Sequence, residues 1–365
     1  MSFGLYIHIP FCKSVCAYCD FFRCVYDSRR AQRYVGALIN NAQKAAAELR
    51  PQQAADSVYI GGGTPTVLAE GMLEAALEGI KKHIKIAEGA EFTCEGNPES
   101  FTEKKAEELK RLGVNRVSLG VQSLNGATLR ALGRAHTARQ AVAAVELAAR
   151  RGFRVSADMM LGVPFQTEKD VKTFVRAMRE AGAEHLSAYM LTVHEGTPLF
   201  EAVRRGEFCP SEDESADLYE AFFRSAAECG YARYEISNAA FPGAECRHNL
   251  KYWRAEEYLG LGAGAFSMLG GRRYHIKEDL NAYLAGSCEE VTDEVMSAKE
   301  LALEQTVFGL RTRFGAPAEA LAAAGIDAAE LLSRAGRYFT FDGGALHLKE
   351  EFWLVSDGII TKYIL

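Results

Sequence analysis

Residues 5–22 read LYIHIPFCKSVCAYCDFF. An apolar, β-prone run from Leu5 to Ile9 stops at Pro10, and Cys12, Cys16 and Cys19 then fall within eight residues. Close cysteine spacing in a reduced protein points to metal or redox chemistry rather than to three unrelated thiols. Two metal sites compete. A closed zinc site needs a fourth ligand, and His8 is the neighbour of the right type. If Leu5–Ile9 is a strand, however, His8 projects to one face and lies across Pro10 from the loop. The other site is an iron–sulfur centre. A [4Fe–4S] cluster normally takes four cysteines, so three would leave one iron open to a non-protein ligand. The rest of the chain decides between them.

The chain has 365 residues, 48% of them hydrophobic and 25% charged, which leaves room for one large globular domain and a smaller one. A formal net charge of −6 argues against a dedicated nucleic-acid binder, which needs a basic surface. The nine cysteines are odd in number, and Cys24, Cys94, Cys209, Cys229, Cys246 and Cys288 are scattered, as in a reducing compartment. The opening residues run straight into a strand with no targeting peptide expected, and no stretch approaches the roughly 18 to 20 apolar residues of a membrane span. A cytoplasmic protein is expected, peripheral to a membrane at most.

Strand-like runs recur at Leu5–Ile9, Ser57–Ile60, Glu91–Glu95, Arg116–Gly120, Val155–Leu161 and His185–Leu191. Between them lie Ala-, Glu- and Lys-rich segments of helical periodicity, several closed by glycine (Gly113, Gly152, Gly182). Six such β/α units predict an α/β fold with a parallel sheet curled into a partial (β/α)6, TIM-like barrel over residues 1–200. Residues 201–296 read as a connecting region. Residues 297–365 read as Ala/Leu-rich helices followed by a hairpin around Asp342-Gly343-Gly344, a helical, winged-helix-like module.

Chemistry in such a sheet sits at the C-terminal ends of the strands. The cysteines follow the first strand and Gly61-Gly62-Gly63-Thr64-Pro65 the second. The third ends in Glu95-Gly96-Asn97-Pro98, the fourth in Gly120-Val121-Gln122-Ser123, and the fifth carries Asp158. The triple glycine serves either a tight turn or the close approach of a small ligand to backbone; it lacks the Lys-Ser/Thr of a phosphate loop. Gly260-Leu261-Gly262-Ala263-Gly264 reads as close packing. Taken singly, Glu95, Gln122, Arg134 and Asp158 are ordinary polar side chains. As a set around one mouth they suit a zwitterionic ligand with a ribose, the carboxylates for hydroxyls or an ammonium and the arginine for a carboxylate.

The loop FCKSVCAYC resembles the CxxxCxxC signature of radical S-adenosylmethionine enzymes. Together with GGGTP, EGNP, GVQS, LGRAH and HNLKYW, it is similar across essentially the whole chain to the oxygen-independent coproporphyrinogen III oxidase group. Within that group it looks most like the HemW heme chaperones. Two departures from the oxidase carry that choice: Phe21 stands where the oxidase has a further cysteine, and only eleven residues precede Cys12, where the oxidase has an extension over its porphyrin.

The resemblance implies that Cys12, Cys16 and Cys19 hold the [4Fe–4S] cluster, whose open iron takes the amino and carboxylate groups of S-adenosylmethionine. It also implies that Tyr6, Tyr18, Gly62, Gly63, Thr64, Glu95, Gln122, Arg134 and Asp158 form the cofactor pocket. His248, Asn249, Tyr252 and Trp253 match the HNxxYW motif associated with heme handling. The residues themselves leave that motif open between a macrocycle contact and a hydrogen-bonded core corner, and Cys246 and Met268 are alternative iron ligands. No residue is singled out as catalytic.

The expected function is that of a chaperone that binds heme and passes it to acceptor hemoproteins, respiratory membrane enzymes among the candidates. An electron donor is needed if radical chemistry occurs, and no nucleic acid is expected. The alternative is the oxidase itself, which decarboxylates porphyrinogen propionates through a 5′-deoxyadenosyl radical.

Overall fold

The computed structural model describes residues 2–365. Strands β1 (Ser2–Ile9), β2 (Ala54–Gly62), β3 (Ile86–Gly96), β4 (Arg116–Gln122), β5 (Arg154–Leu161) and β6 (His185–Met190) pair in chain order, all parallel. The crossovers that parallel neighbours require carry α1 (Ser28–Ala45), α2 (Met72–Lys81), α3 (Glu103–Arg111), α4 (Ala138–Arg150) and α5 (Glu168–Ala181). Local chemistry supports the same breaks. Capping boxes at Thr137/Gln140 and Thr167/Asp170 start α4 and α5, and Gly182, at φ 95°, closes α5 in a left-handed turn.

Alternation along the strands sorts the side chains. Leu5, Ile7, Val58, Ile60, Val117, Leu119, Val155 and Leu186 face the helices and are fully buried in one core. Each such side chain stabilises the fold by about 1.5–3 kcal/mol. The residues between them point into the barrel and are polar. Tyr59 Oη donates to Glu95 at 2.7 Å, Ser118 Oγ to Asp158 at 3.0 Å, and Ser156 Oγ pairs with His185 Nδ1 at 2.7 Å.

Residues 201–296 add strands to both edges of this sheet. After α6 (Glu212–Glu228), β7 (Ala232–Arg233) and β8 (Asn238–Ala240) extend it beyond β6; α7 (Arg247–Trp253) follows. β9 (Tyr258–Leu261) then runs parallel to β1, and β10 (Phe266–Leu269), β11 (Arg272–Ile276) and β12 (Glu290–Val295) continue antiparallel. Among the described residues the sheet has twelve strands in the order β12-β11-β10-β9-β1-β2-β3-β4-β5-β6-β8-β7, so it curls without closing. Gly260 is where β9 and β10 meet most tightly: a Cβ there would collide with the Phe266 carbonyl.

From Ser297 onward, helices Ala298–Gly309, Ala318–Ala324 and Ala328–Ala335 lead to a hairpin of Phe339–Asp342 and Ala345–Leu348. Its turn residues Gly343 and Gly344 take φ 57° and 81°, the geometry that two-residue hairpin loops require. Leu310, Leu321, Leu331, Phe339, Leu346 and Trp353 form a separate small core. The module joins the barrel through backbone bonds of Ile236 to Arg311 (3.1 Å) and of Arg313 to Tyr234 (3.0 Å), and through Arg233 lying against Trp353. No helix among the described residues is long and apolar enough to cross a membrane.

Candidate cluster and cofactor site

The cysteine loop is held over the C-terminal ends of the strands by backbone bonds at its base and its tip. Gly63 N donates to Ile9 O and Thr64 N to Phe11 O, both at 2.8 Å, which ties the triple-glycine turn to the start of the loop. A Cβ on Gly63 would meet the Phe11 carbonyl at 2.7 Å, so the turn admits glycine only. At the tip, Ala17 N donates to Leu132 O at 3.0 Å and Leu199 N to Ala17 O at 2.9 Å. A relay runs beneath the sulfurs. Arg134 donates to Cys16 Sγ (3.3 Å) and to Asn97 Oδ1 (2.6 Å); Asn97 Nδ2 donates to Thr64 Oγ1 (3.1 Å), and Thr64 Oγ1 to Cys12 Sγ (3.7 Å).

Cys12, Cys16, Tyr18, Cys19, Gly62, Gly63, Thr64, Glu95, Gln122, Arg134 and Asp158 all border one cavity of about 410 Å³. That volume is in the range of small-molecule sites. Of the residues expected at the cofactor, Tyr6 alone stands below the cavity wall, its hydroxyl on His8 Nδ1 at 3.0 Å. Glu95 accepts from Tyr59 Oη and from Gly62 N (3.1 Å). Burial pushes its carboxyl up to about 7 against the Tyr59 bond, and neighbouring Asp158 adds to the rise. Burial raises Asp158 too, partly offset by the hydroxyls of Ser187, Ser118 and Ser156. Gln122 has φ 65°, a strained value for a side chain of that kind, and its amide oxygen has no partner, nor does Arg134 Nε. Buried polar atoms without partners beside a cavity are the mark of a site shaped for a ligand.

The donor set fits a cluster better than a single zinc ion. His8, the fourth ligand a zinc site would need, is 5% exposed with its nitrogens on Tyr6 Oη and Phe22 O (2.9 Å). Among the described residues no three His, Cys, Asp or Glu side chains converge on one point. A cuboidal cluster takes each thiolate on a different iron. Burial, eased by Thr64, pushes the Cys12 thiol up to about 11, so a metal held there would have to displace its proton.

The second expected constellation lies at the opposite end of the strands. His248, on α7, is 1% exposed and stacks on Tyr59 with ring centroids 5.2 Å apart. Ser57 Oγ takes its Nδ1 and Tyr252 Oη its Nε2, each at 2.9 Å. Burial drives the imidazole down to about 3, so it is neutral. His248 N also donates to Glu91 Oε1 (2.9 Å), and the Cys246 thiol meets the same oxygen at 3.5 Å. Asn249 and Trp253 are half-buried along α7, and Met268 is buried in β10. The motif closes the barrel floor as a hydrogen-bonded core corner, and iron ligation by His248 would require that floor to open.

Several residues of the cavity escaped the sequence reading: Asp20, Tyr189, Met190, Thr192 and His194. Tyr189 and Met190 end β6, where strand-end logic would have found them. Nothing local marks the contact of His194 with Asp20, 3.0 Å apart. Asn97 lay in a quoted strand-end motif, but its role as a bridge between Arg134 and Thr64 appears only in three dimensions.

Comparisons with known proteins agree with this geometry. The profile of the Radical SAM superfamily matches residues 6–199. The chain is 38% identical over 315 residues to "Heme chaperone HemW" of Lactococcus lactis subsp. lactis (strain IL1403), covering 85% of this chain and 82% of that one. It is 36% identical over 373 residues to "Heme chaperone HemW" of Mycobacterium tuberculosis (strain ATCC 25618 / H37Rv), covering 99% and 95%. Among solved structures, the coproporphyrinogen III oxidase HemN of Escherichia coli, a radical SAM enzyme, superposes with a TM-score of 0.85 over 99% of this chain and 90% of that one. At 20% identity that likeness establishes the fold alone.

Proposed function

The chain belongs to the radical SAM superfamily and, within it, to the HemW heme chaperones, and from that premise we propose that it binds heme and hands it to acceptor hemoproteins. Its cofactors are a [4Fe–4S] cluster and S-adenosylmethionine. Cys12, Cys16 and Cys19 would hold the cluster, and the bonds from Thr64 and Arg134 to the Cys12 and Cys16 sulfurs would then tune its potential. When bound, the cluster would be able to supply one electron to a sulfonium ligand. The carboxylates of Glu95 and Asp158 and the free amide oxygen of Gln122 accept hydrogen bonds from ammonium and hydroxyl groups, while Gly62 and Gly63 let the ligand approach backbone. Acceptors in respiratory membranes would be reached by peripheral docking, and cluster reduction calls for an external electron donor.

The observation that supports the chaperone over the oxidase is Phe21. It stands 65% exposed on the rim of the cavity, an apolar surface in place of another thiol. The test is anaerobic reconstitution, then equilibrium hemin titration with coproporphyrinogen III turnover assayed on the same preparation. Stoichiometric heme binding without turnover is expected. Formation of a product with two vinyl groups, with weak heme binding, would return the chain to the oxidase.

A further inference from the structure

Two carboxyl groups border the cofactor cavity, and they are held differently. Glu95 accepts from Tyr59 Oη and from the Gly62 N–H, whose direction the backbone fixes. Asp158, on β5, accepts from serine hydroxyls, which rotate. Ser118 Oγ stands 3.1 and 3.0 Å from its two oxygens, and Ser156 Oγ 3.3 Å from Oδ1. Whether Ser156 serves Asp158 depends on what lies behind it. Its oxygen also meets His185 Nδ1 at 2.7 Å and Ser187 Oγ at 3.4 Å, and a hydroxyl has one proton to give.

The protons behind Ser156 have one consistent arrangement. His185, Ser156 and Tyr234 are buried. Burial, with the Arg116 charge adding to it, holds the His185 imidazole well below its ordinary range, so the ring is neutral and one nitrogen carries a proton. Tyr234 Oη meets His185 Nε2 at 2.8 Å and accepts from the Cys246 N–H at 3.3 Å; among the described residues it meets no acceptor but His185. With the proton on Nε2, the Tyr234 hydroxyl would be buried without an acceptor, and Ser156 would turn its own proton to the bare Nδ1. With the proton on Nδ1, every group is served. Tyr234 donates to Nε2, Nδ1 donates to Ser156 Oγ, and Ser156 turns its proton to Asp158, a stronger acceptor than Ser187 Oγ. The far end is fixed as well. Tyr234 N donates to Asn238 O, and Tyr234 O accepts from Arg313 N of the C-terminal module, both at 3.0 Å.

We propose that His185 is a positioning residue of the S-adenosylmethionine pocket: held by Tyr234 as its Nδ1–H tautomer, it aims the Ser156 hydroxyl at Asp158 and so presets that carboxylate for the ligand. Neither His185 nor Tyr234 lines the cavity, so both act through Asp158. The assignment rests on the cofactor-pocket reading above.

The test uses the full chain, reconstituted anaerobically and carrying isotope-labelled histidine. Long-range nitrogen–proton NMR spectra show which nitrogen of a neutral ring holds the proton. The His185 ring is identified by its loss in His185→Gln and its shift in Tyr234→Phe. S-adenosylmethionine affinity is measured by calorimetry on the same preparations. The wild-type ring should hold its proton on Nδ1. Tyr234→Phe removes the donor that fixes this tautomer, so the proton should move toward Nε2. Affinity should fall about three- to tenfold, as for loss of one buried hydrogen bond, with iron per chain unchanged. In an Asp158→Ala background, already weakened, Tyr234→Phe should lower affinity no further. A wild-type ring protonated on Nε2 would overturn the proposal. So would a full Tyr234→Phe effect in the Asp158→Ala background, the mark of a merely structural loss. Wild-type affinity in Asp158→Ala alone would overturn the pocket reading, and the positioning role with it, even where the tautomer is as expected.

Discussion

At the floor of the barrel, His248 has both nitrogens bonded, Glu91 holds a backbone amide, and the guanidinium of Arg116, 1% exposed, donates to Ala244 O at 2.8 Å. Among the atoms left over there, Glu91 Oε2 and Arg116 Nη2 belong to opposite charges that face each other, Glu91 Oε2 lying 3.9 Å from Arg116 Nη1. At the mouth, burial raises two carboxyl groups, Asp158 adding to the rise of Glu95, Gln122 is strained and short of a partner, and three thiols ring a cavity. Both ends are polar, and polarity alone does not distinguish them. At the floor the unpartnered polar atoms are enclosed by protein, whereas at the mouth they border an open cavity that a ligand can enter. Damage at the floor should therefore read out as stability, and damage at the mouth as occupancy.

The largest separation is expected from the cysteines. Cys12→Ala, Cys16→Ala or Cys19→Ala should each leave under about a tenth of the wild-type iron and sulfide after anaerobic reconstitution, because a cluster held by two thiolates is not retained. The thermal midpoint of the cluster-free chain should barely move. A variant that keeps full iron would show that its thiol is not a ligand.

Arg116→Met is the converse experiment. Removing one partner of a buried ion pair costs about 3–5 kcal/mol, since the other charge stays buried and alone. Denaturant unfolding should report that loss, while iron bound per folded chain remains at the wild-type level. If Arg116→Met instead empties the cluster and leaves stability intact, the division between floor and mouth is wrong.

The two ends should also answer pH with opposite signs. His248 falls from an ordinary 6.5 to about 3 in the folded chain, so the unfolded chain binds the proton first. Its contribution is complete above pH 6.5 and is lost as pH drops toward about 3, on the order of 2–3 kcal/mol over two pH units. Glu95 rises from 4.5 to about 7, so here the folded chain binds the proton first. Its contribution is complete below pH 4.5 and is lost as pH rises through about 7, to a similar extent. Relative to wild type, His248→Gln should flatten the acid side of the stability profile. Glu95→Gln should stabilise the ligand-free chain above pH 7 and weaken S-adenosylmethionine binding about tenfold. Equal slopes in the two variants would contradict the assignment.

What the sequence revealed divides along the same line. The parallel core was legible because each strand sits between helices with their own caps and glycine stops. The expected bounds differ by a few residues, as at Ala54–Gly62, where the register slips around Asp56, a residue that pairs with Lys251 at 2.9 Å. The mouth was legible because position at a strand end and residue type coincide at Glu95, Gln122 and Asp158. The floor was not. Glu91 with His248, Arg116 with Ala244 and His185 with Tyr234 are contacts between segments that no local periodicity relates. The approach of His194 to Asp20 escaped for the same reason, since the two lie on different loops.

The smallest effect is the most discriminating. Gln122 pays for its position with a left-handed backbone at φ 65°, a conformation that glycine adopts freely. If the strain served only to turn the chain, Gln122→Gly would be the better residue and nothing else would change. If the side chain is held there for a ligand, the same substitution should raise the stability of the ligand-free chain by up to about 1 kcal/mol. It should also weaken S-adenosylmethionine binding, measured by calorimetry on the reconstituted protein. A stability gain with unchanged affinity would move Gln122 from the site to the scaffold. A gain paired with weaker binding is the trade expected where a fold keeps strain at the place it works.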